Sequence, residues 1–134
     1  MWTTALVWTK RIYKKESMMK IHDGELKLME LVWQHEPISA KELSVLAAEV
    51  IGWNRHTTYT VATKLVEKGF IHREEPGFEC TSAVTREEVQ KEETKILVDR
   101  LFHGSRKALF SALLENENLS DSEIAELREL IAKR

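Results

Sequence analysis

Cysteine, proline and glycine are scarce in this 134-residue chain, which contains one, two and five of them respectively. The lone cysteine, Cys80, excludes an intrachain disulfide framework and a cysteine metal cluster, and it fits a cytoplasmic protein. No apolar run approaches the roughly 20 residues of a membrane span. The five histidines lack HxxxH or HExxH spacing, and neither a GxSxG motif nor a phosphate-binding loop occurs. We therefore predict no catalytic residue, metal, cofactor or membrane contact.

Charge is unevenly distributed along the chain, although the formal net charge is only −2. Residues 1–19 carry four basic groups and one acidic group, and residues 20–73 carry seven of each. Residues 74–134 hold nine basic and fourteen acidic groups. Within 53–73, however, four basic groups face a single acid, Glu67. Because phosphates interact with the local charge of a surface rather than with the net charge of the chain, this distribution is compatible with nucleic acid as a partner.

The first half of the chain shows three helical patterns joined by short connections. Residues 23–34 have a broad apolar side, and "SAKE" at 39–42 is a capping box that starts a second helix. That helix ends near Gly52, and a short turn leads into a third helix over 54–68. Helices and connections of these lengths are typical of a helix-turn-helix.

The third helix begins with a stretch, "TTYTV" at 57–61, whose β-branched and aromatic composition is typical of a strand. Its periodicity favours a helix, because the apolar positions recur at i, i+3, i+4 and i+7 rather than alternating. Asn54 can cap this helix, and Gly69 is placed to end it in the left-handed conformation. The predicted core-facing stripe comprises Thr58, Val61, Ala62, Leu65 and Val66.

Two short strands, Phe70–Arg73 and Phe78–Thr81, are predicted around a turn that contains Pro76 and Gly77. A hairpin directly after the third helix is the wing of a winged helix.

Three further helical patterns follow the hairpin. A capping box, "TREE" at 85–88, opens a long helix that runs to Gly104. A short apolar helix begins at Ser105, and a second capping box, "SDSE" at 120–123, opens the last helix. These helices are too few and too amphipathic to bury their apolar sides alone, so a second copy of the chain is the simplest cover.

The patterns together predict a mainly α fold with a small β wing. Residues 1–19 are expected to be a disordered extension, 20–83 a winged helix-turn-helix DNA-binding domain, and 84–134 a helical dimerisation domain. The residues predicted to form the dimer interface are Leu97, Leu101, Leu109, Leu113, Leu127 and Ile131.

With these elements in order, residues 20–134 resemble the penicillinase and methicillin-resistance repressor family, which also includes copper-responsive repressors. The resemblance rests on the order and spacing of three stretches. They are "ELKLMELVWQHEPISAKEL", the Trp53 turn followed by "TTYTVATKLVEKGFI", and "LSDSEIAELRELI". The resemblance implies a homodimeric winged-helix transcriptional repressor, and not an enzyme, that binds a palindromic double-stranded DNA operator through the helix 54–68.

Two regulatory signals of that family are missing from this sequence. Relatives that a membrane sensor protease inactivates are cut at an Asn-Phe bond, and the matching place here reads Ala112-Leu113. Copper-responsive members carry paired Cys-x-Cys motifs, which this chain lacks. The release signal is therefore predicted to be a regulatory protease of different specificity or a small-molecule effector.

The exposed face of the third helix is the candidate DNA-reading surface. Threonine is a mediocre helix former, so a threonine-rich face is not explained by helix stability. Its hydroxyl can meet base edges or phosphates, and its methyl can meet the thymine methyl. The predicted DNA-binding residues are Arg55, His56, Thr57, Tyr59, Thr60, Thr63 and Lys64, with Arg73 on the wing. The alternative is a winged-helix adaptor that binds a protein partner without reading DNA sequence.

Overall fold

The computed structural model describes residues 20–116 and 118–134, which form six helices and one three-stranded antiparallel sheet. The helices are α1 (Asp23–His35), α2 (Ala40–Val50), α3 (Arg55–Lys68), α4 (Arg86–Phe102), α5 (Arg106–Asn116) and α6 (Asp121–Ala132). The strands are β1 (Ile38–Ser39), β2 (Ile71–Glu74) and β3 (Glu79–Ser82). The predicted fold class, mainly α with a small β wing, is confirmed. The predicted extension, residues 1–19, lies outside the described residues.

The chain divides into two compact units, one ending at Glu93 and the other running from Thr94 to Arg134. This division falls inside α4, about ten residues after the boundary that the sequence predicts between 83 and 84. The assignment of functions to the two parts stays a prediction.

Most helix ends follow the signals in the sequence. The Asn54 side chain accepts the Thr57 amide at 2.8 Å, which caps α3, and Gly69 ends that helix with a φ of 86°. At the start of α6, Ser120 and Glu123 each accept the other's backbone amide at 3.1 Å. These caps confirm the predicted start and end of α3 and the predicted start of α6.

The two other capping boxes differ from each other. Thr85 and Glu88 exchange side-chain to backbone hydrogen bonds at 3.0 Å, as predicted. Ser39 accepts the Glu42 amide at 3.1 Å, but its hydroxyl, not its amide, donates to the Glu42 carboxylate at 3.0 Å. The predicted reciprocal bond from the Ser39 amide is therefore wrong in this detail.

The hairpin after α3 is confirmed, and a third strand extends its sheet. The strand order is β1-β3-β2, with Ile38 and Arg73 both opposite Cys80. Strand β1 was not predicted, since two residues after Pro37 are too few to show an alternating pattern.

The core of the first unit lies between α1, α2, α3 and the sheet. The stripe of α3 that faces it contains Thr58, Ala62 and Leu65, all fully buried, which confirms the helical periodicity. Thr58 donates its hydroxyl to the Asn54 carbonyl at 3.2 Å, so this buried polar group is satisfied. The other fully buried large side chains include Leu28, Met29, Val32, Leu43 and Phe70.

A buried ion pair joins the end of α3 to the start of α1. The Lys68 ammonium donates to the Glu25 carboxylate at 2.7 Å, and the His22 amide donates to the same carboxylate oxygen at 2.9 Å. Burial by itself raises the pKa of Glu25, but the hydrogen bonds from Lys68 and His22 outweigh it and hold that pKa below its ordinary value. The carboxylate is therefore charged and paired at neutral pH.

The second unit exposes much of its apolar surface. Exposed large apolar side chains are found on each of its three helical segments. They are Leu97, Leu101, Phe110, Leu113, Leu114, Leu130 and Ile131. The other two residues predicted for a dimer interface, Leu109 and Leu127, are half-buried. None of the helices in the described ranges is both long and apolar enough to cross a membrane.

Candidate nucleic-acid interface

Seven of the eight predicted DNA-binding residues lie on α3, and one of these, Tyr59, packs against the core. Five of them are exposed and two, Thr57 and Tyr59, are half-buried. The exposed ones are Arg55, His56, Thr60, Thr63 and Lys64. Because the opposite stripe is buried, the helix presents one continuous polar face about four turns long.

The threonines on this face are not equivalent. Thr63 donates its hydroxyl to the Tyr59 carbonyl one turn earlier at 2.8 Å. Its oxygen then retains only acceptor capacity toward a base or a phosphate-bound water. Thr60 is exposed, and helix geometry directs its side chain to the polar side of the helix. Thr60 is therefore the better placed of the two to choose between donor and acceptor groups on a base edge.

The N-terminal end of α3 is electropositive. Its first turn contains Arg55 and His56 and no acidic residue, whereas the first turns of α1, α2, α4 and α6 each contain at least one, and that of α5 contains none. A cation is unfavourable at a helix N-terminus for helix stability alone, since the backbone amides already place positive charge there. An anion such as phosphate is favoured at that position.

A shallow hollow of about 410 Å³ lies where α2 meets the start of α3. Its lining includes Lys41 from α2 and Arg55 from α3, together with Trp53 and Asn54 from the turn between them. The lining thus places a second basic side chain, Lys41, near the N-terminus of α3, together with the acidic Glu49.

The eighth predicted residue, Arg73, lies on the wing strand β2 and is engaged with its own hairpin. Its guanidinium donates to the Glu75 carboxylate and stacks on the Phe78 ring, 3.7 Å from the ring centroid. The hydrogen bond from Arg73 lowers the pKa of Glu75. Glu74 and Glu79 lie opposite each other on the same hairpin, so the hairpin as a whole is acidic, and Glu75 is the acidic group that contacts Arg73.

Aromatic contacts connect α3 to the wing. The Arg55 guanidinium lies over the Tyr59 ring, 5.2 Å from its centroid, and its Nη2 donates to the Tyr59 hydroxyl at 3.4 Å. The Tyr59 and Phe78 rings meet edge to face, with centroids 6.0 Å apart and an interplanar angle of 89°. We call this row the Arg55–Tyr59–Phe78–Arg73 stack. The sequence predicted Phe78 as the first residue of a strand, which is wrong by one position, because Phe78 has a φ of 50° and lies in the turn before β3. No signal in the sequence indicated its contact with Tyr59, because the two residues belong to different elements.

Other chemical sites are few in the described part of the chain. Residues 20–116 and 118–134 contain no group of three or more His, Cys, Asp or Glu side chains that could hold a metal ion. Cys80 is fully buried in β3, and burial raises the pKa of its thiol to about 11. The thiol is therefore neutral at physiological pH and acts as a small apolar side chain.

Comparison with known proteins gives consistent matches along nearly the whole described chain. The family model described as penicillinase repressor matches residues 21–133. The chain is 26% identical over 114 residues to the penicillinase repressor of Bacillus licheniformis, covering 84% of this chain and 89% of that protein. It is 27% identical over 117 residues to the methicillin resistance regulatory protein MecI of Mammaliicoccus sciuri, covering 86% of this chain and 95% of that protein.

One solved structure similar to this chain is the Bacillus licheniformis BlaI monomeric form in complex with the blaP half-operator. The sequence identity is 27% and the TM-score is 0.45, with 52% of this chain and 87% of that chain covered.

Proposed function

Because this chain belongs to the penicillinase repressor family, we propose that it is a transcriptional repressor that binds a palindromic operator as a homodimer. In this proposal the winged helix within residues 20–83 binds double-stranded DNA, and the helices of 84–134 hold two copies together. The protein acts in the cytoplasm and catalyses no reaction. A protease or a small molecule as the signal for release stays a prediction.

The observation that carries the proposal is the polar face of α3. This face combines exposed threonines with Arg55 at its N-terminal end and Lys64 in its third turn. A helix of this kind fits the major groove, where threonine meets base edges and the basic groups meet phosphates. A face evolved only for solvation is expected to be rich in Glu, Lys and Gln instead.

The exposed apolar surface of the second unit supports the homodimer. Seven large apolar side chains are exposed on α4, α5 and α6, and four of them, Leu97, Leu101, Leu113 and Ile131, belong to the predicted interface. Soluble monomers seldom expose so much contiguous apolar surface. A second copy of the same chain covers these residues with their own equivalents around a twofold axis, and two α3 helices then meet two operator half-sites.

A protein-binding adaptor remains the second candidate, and the wing is the observation that favours it. Glu74, Glu75 and Glu79 make the hairpin acidic around Arg73, which disfavours close approach to phosphates. The two candidates predict different outcomes with random DNA. A repressor enriches an inverted repeat from a pool of random duplexes and releases it steeply as salt rises. An adaptor enriches no sequence and binds a protein partner with little dependence on salt.

Single substitutions on α3 then distinguish residues that recognise bases from residues that contact phosphates. We expect Thr60→Val, which keeps the shape and removes the hydroxyl, to weaken binding to the selected duplex by about 1–3 kcal/mol. Its binding to random DNA should not change. Lys64→Ala should weaken binding to both duplexes alike and reduce the salt slope by roughly one unit. Competition titrations on selected and random duplexes, at several salt concentrations, measure both effects.

The control for Lys64→Ala is Lys27→Ala, which removes the same charge from an exposed position on α1. Helix α1 packs on the core side of α3, so this variant should bind both duplexes as the wild type does. Equal losses for Thr60→Val on selected and random DNA would mean that α3 positions the protein without reading bases.

A second prediction concerns the Glu75 carboxylate, which accepts a hydrogen bond from Arg73. Glu75→Gln removes the charge that holds the guanidinium on the hairpin, so we expect binding to random duplex to strengthen by about twofold to fivefold at low salt. Glu74→Gln removes the same charge from the same hairpin without touching the pair, and it is the matched control. Identical gains for the two variants would show that only the net charge of the wing matters, and that Arg73 has no separate role.

A further inference from the structure

The Arg55–Tyr59–Phe78–Arg73 stack links the two DNA-facing elements of the proposed repressor. Tyr59 belongs to α3 and Phe78 to the hairpin, and their edge-to-face contact spans the gap between these elements. A guanidinium lies over each ring, from Arg55 on the helix and from Arg73 on the wing. Edge-to-face rings and cations over ring faces are both favourable and directional arrangements.

The contacts of Tyr59 leave little of its ring for a base. One neighbour of the ring is the Arg55 guanidinium, another is the Phe78 ring, and the hydroxyl already accepts from Arg55. The side chain is half-buried, unlike that of Thr60 next to it, which is exposed. A ring that lined the DNA groove would project from the helix into solvent, whereas the Tyr59 ring packs against protein groups.

Phe78 is fixed by its own hairpin. It is 8% exposed, its φ is 50°, and its carbonyl accepts the Ala40 amide at 2.9 Å. A residue held at both the backbone and the ring can transmit the position of the hairpin to α3. Arg73 stacks on the same ring, so its guanidinium is placed relative to α3 through Phe78 and Tyr59.

We infer that Tyr59 is a positioning residue that, with Phe78, sets the wing and its Arg73 at a fixed distance from the reading face of α3. This inference rests on the proposed function, since it assigns a role within DNA binding. When DNA is bound, a phosphate takes the place of the Glu75 carboxylate on Arg73, while the stacking of Arg73 on Phe78 is retained. The wing contact and the base contacts of α3 are then made together, and loss of either ring uncouples them.

Full-length variants test this role, because the effects of the substitutions on DNA binding should be non-additive. Tyr59→Leu and Phe78→Leu should each weaken binding to the selected duplex about fivefold, and the double variant should lose little more than either alone. Arg73→Ala should weaken the wild type but have almost no further effect in the Phe78→Leu background. Tyr59→Phe retains the ring and is expected to rescue most of the affinity that Tyr59→Leu loses.

Two readouts distinguish positioning from a merely structural or a base-reading role. The sequence enriched from random duplexes should be the same for Tyr59→Leu as for the wild type, while the salt slope falls by about one unit as the Arg73 contact is lost. A changed base preference in Tyr59→Leu would show that Tyr59 reads a base and would overturn the inference. Independent losses that multiply in the double variant would overturn it too.

Folding and the proposed function are controlled separately. Circular dichroism and thermal unfolding identify a variant that fails to fold. If Phe78→Leu fails, Arg73→Ala is measured in the Tyr59→Leu background instead, where it should again have almost no further effect. If the wild type enriches no duplex at all, the proposed function fails and this inference fails with it. If the wild type enriches an inverted repeat and the variants show no coupling, only the inference fails.

Discussion

Replacing Leu113 and Ile131 by glutamate is expected to separate the proposed dimer into folded monomers. Both side chains are exposed in the single chain, at 44% and 64%, on α5 and α6. Full burial of such a side chain contributes about 1.5–3 kcal/mol, and because each is already about half covered in the single chain, the interface adds roughly half of that at each of four positions. The four lost contacts together weaken the dimer by about 3–6 kcal/mol, which is roughly 10²–10⁴-fold in its dissociation constant. Buried unpaired carboxylates add a further cost.

Sedimentation equilibrium over a range of protein concentrations measures this change. The matched control is Ser111→Glu with Ala125→Glu, which adds the same two charges to exposed positions of α5 and α6. At 100° per residue these positions lie about 160° from Leu113 and 120° from Ile131 around their helices. The control should therefore remain dimeric. If the Leu113 and Ile131 variant sediments as the wild type does, the two copies meet through another surface.

Loss of the dimer should also change DNA binding in a specific way. A monomer presents one α3 helix, so it contacts one half-site and about half of the phosphates. Its binding to an inverted repeat should fall steeply, whereas its binding to an isolated half-site should match that of the wild-type subunit. The substitutions lie in the second unit, so the polar face of α3 is unchanged.

The parts of this fold that the sequence predicts are those determined by local interactions. The extent of α3 follows from its i, i+3, i+4 and i+7 pattern, from Asn54 at its start and from Gly69 at its end. The exposed polar residues follow in turn, because helix geometry places them away from the buried stripe, whereas Tyr59 packs against the core and the wing. The seven candidate DNA-binding residues of α3 are therefore predictable from the local pattern, but the packing of Tyr59 is not.

Contacts between distant elements could not be predicted in this way. Phe78 contacts Tyr59 across 19 positions, and the pattern of a hairpin says nothing about which helix residue its ring meets. Glu25 is one of 22 acidic residues and carries no local sign of burial, yet it is 5% exposed and paired with Lys68 across 43 positions. Such pairs depend on how the elements pack, which a single sequence does not encode locally.

Glu25→Gln is expected to give the largest loss of stability of any single charge removal described here. The amide keeps an acceptor for the His22 amide, so the change isolates the charge that Lys68 pairs with. The side chains of Glu25 and Lys68 are only 7% and 17% exposed. Removing one partner of a buried pair leaves the other charge desolvated, at a cost of about 3 kcal/mol. Urea denaturation monitored by circular dichroism measures the change in the free energy of unfolding.

The matched control is Glu30→Gln, which removes a carboxylate of the same helix that is also paired across elements. Glu30 binds Arg86 at 2.9 Å, but these side chains are 40% and 36% exposed. Water screens an exposed pair, so this substitution should cost less than about 1 kcal/mol. Equal losses for the two variants would show that burial of Glu25 does not determine its contribution.

The dependence on pH tests the cause of the Glu25 effect. The pKa of Glu25 in the folded protein lies below its ordinary value of 4.5, because the hydrogen bonds from Lys68 and His22 outweigh the effect of burial. The charged form thus contributes stability above about pH 4.5, and the contribution is lost as the pH falls through the folded pKa. The difference in unfolding free energy between wild type and Glu25→Gln should be constant between about pH 6 and 8 and shrink at lower pH. A difference that persists unchanged to about pH 3 would mean that the amide disturbs packing, rather than that a charge has been lost.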